Sequence, residues 1–160
     1  MNVYLDSSFV IRQLLGVRPE CPFWGEWDKA YASTLMRTEC FRAANLLRLS
    51  GKINDTQRAR LGSWIEKVVS SITLAPVTDA ILHRAAETFP VAVGTLQGIH
   101  LATILELQAV HGITCSIATD DAQLLQAATA LGFAEAVAEE PKPEAEKPEE
   151  PANTADKTSE

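Results

Sequence analysis

Apolar residues along this chain recur at two alternating periods. The opening "NVYL" (2–5) has strand character, and over residues 9–15 the apolar spacing turns helical, with Asp6 where the strand stops. "YAST" (31–34) predicts a short strand, followed by a helix whose positions Met36, Cys40, Ala43, Ala44 and Leu47 share one face and which Gly51 ends. "NDTQRARLGSWIEKVVS" reads as a further helix capped by Asn54 or Asp55. "SITLAPV" is a strand closed by Pro76, and Thr78 caps the helix "DAILHRAAETF". "TLQGIHLATILELQAVHG" is apolar on most faces, which predicts a buried central helix. A β-branched strand, "ITCSIAT", leads into the helix "DDAQLLQAATALGF", which starts at Asp120 or Asp121 and ends at Gly132. "FAEAVA" is a weak last strand. Between the first helix and the second strand, "GVRPECPFWGEWDKA" reads as a loop with one helical turn. Its Trp24 and Trp27 either clasp the loop to the core or line a groove for a partner.

Strands that alternate with helices build βαβ units, so the expected fold is a three-layer α/β/α domain with a mostly parallel central sheet. In such sheets ligands bind beyond the carboxyl ends of the strands. With 160 residues, 46% of them hydrophobic, the chain can bury one sizeable core. We place that domain at residues 1–138. The remaining "EEPKPEAEKPEEPANTADKTSE" has no large apolar residue and four prolines, so a disordered acidic tail is expected over 139–160. The formal charge of −7 divides unevenly: the tail holds eight acids and three lysines, the domain 13 acids and 11 bases. Three widely spaced cysteines form no CxxC pair or disulfide framework, which fits a reducing, cytoplasmic setting. No signal peptide and no membrane-spanning run is read in the sequence.

The acids of the domain fall at telling places. Asp6 follows the first strand, Asp120 and Asp121 follow "ITCSIAT", and Glu39 lies in what reads as the first turn of the helix after "YAST". In a parallel sheet these would meet on one rim. Two carboxylates about 4 Å apart repel by about 4 kcal/mol at an effective dielectric of 20, so such a cluster needs a cation or protons. Mg²⁺ accepts a few carboxylates and retains waters, and it can activate water and stabilise a phosphoryl transition state. Each acid also has a plain structural role open to it, as a cap or as a favourable charge at a helix N-terminus.

The segments "VYLDSSFVIRQLL", "YASTLMRTECFRA", "LAPVTDAILHRAAE", "TLQGIHLATIL" and "IATDDAQLLQAATALGF" resemble, in order and at ordinary spacing, the PIN-domain ribonucleases, particularly the VapC-like toxins of bacterial toxin–antitoxin systems. The resemblance covers nearly all of residues 1–138. It implies a PIN-like fold and a Mg²⁺- or Mn²⁺-dependent endoribonuclease, held inactive by a cognate antitoxin and self-associating as a homodimer. Asp6 matches the first metal-binding Asp, with Ser7 in the place of the adjacent hydroxyl residue. Glu39 matches the second acid, with Arg42 three residues on, and Asp121 matches the fourth, within the stretch Thr119 to Leu124. The third acid falls in a "Leu-Asp-x-x-His-Leu-Ala" motif, which here is "LQGIHLA", so that place is Gln97. Gly94 stands where the family frequently has an arginine.

Gln97 brings an amide oxygen but no charge, and hard-cation affinity falls with fewer charged ligands. Asp120, beside the expected ligand, is one route to compensation. A slower enzyme and a catalytically silent domain that binds RNA or protein are the other two readings. Ser7 and Thr119 are placed to orient waters or carboxylates around the ion. Arg12, Arg37 and Arg42, with Arg48, flank the proposed rim and would contact RNA phosphates without reading sequence. His100, on so apolar a helix, reads as a hydrogen-bonded core histidine.

Overall fold

The computed structural model describes residues 1–17 and 21–137. The segment expected to be an acidic tail, 139–160, lies outside the described residues. Four strands pair in parallel in the order β3-β2-β1-β4, where β1 is Asn2–Leu5, β2 Lys29–Ser33, β3 Thr73–Ala75 and β4 Ser116–Ala118. Helices α1 (Ser7–Leu14), α2 (Leu35–Leu49) and α3 (Asp55–Ser71) follow β1 and β2, and α4 (Asp79–Ala85) and α5 (Thr95–Ala109) link β3 to β4. Helix α6 (Ala122–Ala130) comes last. The expected α/β/α architecture is therefore the one observed.

Side chains two apart on a strand share a face, and the core follows that rule. Val3, Leu5, Ala30, Ala32 and Ala118 bury into one cluster with Phe9 and Val10 of α1, Met36, Cys40 and Ala44 of α2, and Leu61 and Ile65 of α3. Tyr4, Tyr31 and Ile117 point the other way, onto Leu101, Ile104 and Leu107 of α5 and Leu124, Ala127 and Ala128 of α6. Packed between the sheet, α4 and α6, α5 buries eight of its residues, Ile99 and Ala102 against Ile81 of α4, which explains why its sequence shows no polar face.

Local signals end the elements much as expected. Asn54 caps α3 in a reciprocal box with Gln57, and Thr78 caps α4. Gly51 and Gly132 take the left-handed conformation (φ +71° and +89°) that lets the chain leave α2 and α6. Trp24 packs edge-on against Trp27 and tilts onto Phe9, with ring centroids 5.4 and 6.0 Å apart, so both tryptophans clasp their loop to the core.

Several boundaries differ from expectation, each for a physical reason. Helix α4 stops at Ala85 rather than continuing to Phe89: Pro90 disfavours helical backbone at the residue before it, and Phe89 turns inward beneath Arg84 to join the α5–α6 cluster. Strand β4 is confined to three residues because β1, its partner, offers register only from Val3 to Leu5. "FAEAVA" forms a single bridge, Ile117 to Glu135, instead of a full strand.

Leu101 is fully buried and Leu46 is 67% exposed. Leu101→Ala should cost about 2–5 kcal/mol in urea unfolding, and Leu46→Ala no more than about 0.5 kcal/mol. Thiol chemistry offers an independent check. Burial pushes the Cys40 thiol up to about 12, with the charges of Glu39 and Asp6 adding to it, and burial alone pushes Cys115 up to about 11. Half-buried Cys21 should react first with a disulfide reagent at pH 8, and the other two only on unfolding. Equal labelling of all three thiols in the native protein would contradict this burial.

Candidate metal centre

The chain passes from β1 to β2 and β3 on one side of β1, then returns to β4 on the other. That reversal opens a crevice beyond the carboxyl ends of β1 and β4, the usual ligand position in parallel sheets. Asp6 sits at its mouth. Its backbone N–H donates to the Ala118 carbonyl at 2.9 Å, and its extended backbone (φ −90°, ψ 152°) makes it the cap of α1.

The two roles open to Asp6 in the sequence turn out to belong to different oxygens. Oδ2 accepts from the Ser8 backbone N–H (3.2 Å), from the Ser8 hydroxyl and from Thr119 Oγ1 (2.9 Å). Oδ1 instead lies 3.5 Å from His100 Nε2. Asp6 is 5% exposed, so this second oxygen is held out of bulk water.

Glu39 reaches the same imidazole from α2. It is the fifth residue of that helix, past the first turn where it was expected, so the helix dipole does not account for it. Its Oε2 and Oε1 lie 3.2 and 3.4 Å from His100 Nε2. Oε2 is buried and accepts no hydrogen bond among the described residues. On the far side of the ring, Nδ1 is 2.8 Å from the Tyr4 hydroxyl. Burial pulls the imidazole pKa down, but the Glu39 hydrogen bond and the charges of Asp6, Glu39 and Asp121 outweigh it and leave it raised. The ring thus faces both carboxylates from 3.2 to 3.5 Å and eases their repulsion in a largely buried site.

Asp121 is the cap of α6 and is held differently. Oδ1 accepts from the backbone N–H of Gln123 (2.9 Å) and Leu124 (3.1 Å), and Oδ2 accepts from Gln97 Nε2 at 2.8 Å. Burial raises its pKa, yet the Gln97 amide, those two N–H groups and His100 together bring it below the ordinary value. Its own N–H donates to Thr119 Oγ1, the hydroxyl that donates to Asp6, so one threonine couples both acids. Gly94 and Gln97 are neighbours too: a Cβ at position 94 would come within 2.7 Å of Gln97 Oε1.

One ligand atom each from Asp6, Glu39 and His100 lie within 4.8 Å of one another, and Asp121 stands outside that group. An orphaned buried carboxylate oxygen beside a second acid and an imidazole is a donor set that fits a divalent cation. Of the expected RNA contacts, Arg12 pairs with Asp120 (2.6 Å) and Arg37 with Glu66 (2.6 Å). Arg42 is exposed and makes no ion pair among the described residues. Asp120 faces Arg12 instead of the acid group, and burial, ahead of the opposing Arg12 charge, leaves its pKa raised.

No family model matches this chain, and no curated protein does. Among solved structures it is similar to VapC20 of Mycobacterium tuberculosis, a Sarcin-Ricin loop cleaving toxin. The TM-score is 0.56 over 85% of this chain and 99% of that one, at 15% identity. The fold is PIN-like. Within the PIN-like frame the four positions carried over from the family's pattern, Asp6, Glu39, Gln97 and Asp121, stand around one crevice at the ends of β1, α2, α5 and α6. No helix among the described residues is long and apolar enough to cross a membrane.

Two residues carry more of this site than their sequence suggested. His100 read as core packing, although it lies three positions after Gln97 and therefore on the same helical face. Ser8, not Ser7, holds Asp6: its hydroxyl donates to Oδ2 and accepts from the Asp120 N–H at 3.0 Å, whereas Ser7 contributes a carbonyl facing the Cys40 thiol. An Asp followed two residues later by Ser is the short-range signal for such a turn. Ser8→Ala should therefore lower unfolding free energy by about 1–2 kcal/mol, and Ser7→Ala by no more than about 0.5 kcal/mol. The reverse order in urea melts would return the role to Ser7.

Proposed function

We propose that this protein is a metal-dependent endoribonuclease, the toxin member of a toxin–antitoxin pair. The observation that carries the reading is the meeting of Asp6 and Glu39, from separate elements, around a buried imidazole at the switch point of the sheet. Resemblance to the VapC-like toxins supplies the substrate class, the cognate antitoxin and the homodimer. The cytoplasmic setting is the one in which such a pair would work.

The free Oδ1 of Asp6 and the unpartnered Oε2 of Glu39 would hold Mg²⁺ or Mn²⁺, with Asp121 and Gln97 closing the ring on the opposite side. The chemistry supplied by such an ion is charge neutralisation at the scissile phosphate and acidification of water. Thr119 and Ser8 lock the Asp6 carboxylate, so its inner oxygen is fixed before substrate arrives. Arg42, one helical turn beyond Glu39, would receive a phosphate beside the cleaved bond. Residues 35–71, which span α2 and α3, hold seven bases and three acids, one of them Glu39, whereas the domain as a whole is slightly acidic. That hairpin is the surface along which an RNA backbone would lie.

A second reading, a silent PIN-like module that binds RNA or protein, draws on the Gln97 amide, which satisfies Asp121 with no cation. The two separate in one set of assays. In Mn²⁺ buffer the parent should cleave structured RNA, and Asp6→Asn should lower the rate by about a hundredfold or more while leaving RNA binding in EDTA intact. Unchanged cleavage by Asp6→Asn removes that residue from the centre. Gln97→Asp sets a carboxylate against Asp121, so it should unfold earlier without metal and gain more from added Mg²⁺ in thermal melts. A parent that binds RNA but never cuts it, with activity appearing only in Gln97→Asp, would establish the silent module. Arg42→Ala should weaken RNA binding and reduce the salt slope by about one.

A further inference from the structure

We propose that His100 is itself a ligand of the cation, through Nε2, so that Asp6, Glu39 and His100 form a two-carboxylate, one-imidazole face selecting Mn²⁺ over Mg²⁺. The inference rests on the reading of this crevice as a cation site and adds the nature of the ion.

Three observations carry it. The first is aim. A histidine that merely filled the core between α5 and the sheet would need one partner per ring nitrogen. Here Nε2 has more than one: besides its hydrogen bond to Glu39 Oε1 it lies 3.5 Å from Asp6 Oδ1 and 3.2 Å from Glu39 Oε2, the two oxygens that the surrounding hydroxyls and amides leave unengaged. The second is span. Ligand atoms on one ion at bond lengths of about 2.1 Å stand about 3–4 Å apart. The three atoms here all fall within 4.8 Å, so the widest pair needs to close by no more than about 1–2 Å around an ion. The third is support from behind. A metal-bound histidine almost always donates its other ring N–H to an oxygen that fixes tautomer and tilt. Tyr4, wholly buried on β1, places its hydroxyl 2.8 Å from Nδ1, where it can accept that proton. The imidazole is thereby held with Nε2 aimed at the two acids, and a cation entering between them would take the place of the Nε2 proton.

Ligand chemistry then sorts the metals. Mg²⁺ favours all-oxygen surroundings and dehydrates reluctantly, whereas a nitrogen donor with two carboxylates suits first-row ions such as Mn²⁺ and Fe²⁺. The loss of negative charge at position 97 points in the same direction, because the centre leans on a donor that hard-ion sites seldom use.

The experiment uses the full chain with Mn²⁺ and Mg²⁺ as probes. Calorimetry should find Mn²⁺ bound at least about tenfold more tightly than Mg²⁺, and pulsed EPR of the Mn²⁺ complex should show modulation from a directly bound ¹⁴N. His100→Gln should abolish that modulation and weaken Mn²⁺ about 10- to 100-fold, with little change for Mg²⁺. Tyr4→Phe, which leaves the imidazole in place, should retain the modulation and weaken Mn²⁺ by a smaller factor, so the test survives if His100→Gln folds poorly. Were His100 only the positive partner of the two acids, its removal would strengthen Mn²⁺ binding, and that result overturns the proposal. A Mn²⁺ complex without nitrogen modulation overturns it alone, leaving the cation site standing; a parent that binds neither ion overturns both.

Discussion

Everything at the candidate metal centre depends on two largely buried carboxylates being held side by side. Asp6 and Glu39 arrive from different layers, one at the end of a strand and one on a helix; Asp6 is buried, and Glu39 keeps only part of its side chain in solvent. The imidazole between them makes the arrangement affordable in the protein alone, and it does so from α5, on the opposite face of the sheet from α2. The centre therefore ties the two outer layers together across the strand ends. Removing one member leaves an uncompensated buried charge, which is costlier than the loss of any single contact.

Around that core of charge, hydroxyls and amides settle what remains. Thr119 bridges Asp6 and Asp121, Ser8 bridges Asp6 and the Asp120 backbone, and Gln97 spans from α5 to Asp121. Gln97 does by hydrogen bonding what a cation would do by charge. Gly94 lies against that amide: a side chain there would start 2.7 Å from Gln97 Oε1. The crevice is in this way divided: around His100 a carboxylate oxygen is left without a hydrogen bond, and around Asp121 both oxygens are hydrogen-bonded.

The architecture was legible in the sequence because its signals were local and mutually consistent. Asn54 with Gln57, Thr78, Gly51 and Gly132 each mark a helix end by chemistry confined to a few residues. Strand ends were less legible, because the extent of β4 is set by how many residues β1 presents to it, a fact that no short window contains. The site was half legible. Asp6 and Asp121 stand out as acids after strands, but Glu39 and His100 become partners only once α2 and α5 are placed on opposite sides of the sheet. The choice of Ser8 over Ser7 depends on backbone direction at a single turn. Arg12 and Arg37 read as free cations, and only the folded chain reveals Asp120 and Glu66 beside them.

The sheet's outer margins carry a consequence of their own. Its border strand β3 spans three residues, and beyond β4 the chain lays down one bridge at Glu135 before turning away. A foreign polypeptide seeking to extend the sheet would find too few unpaired amides in line to grow upon. Brevity at the borders thus guards the folded protein against templated fibril growth, while the buried interior is shared between the inner strands and the helices that cover them.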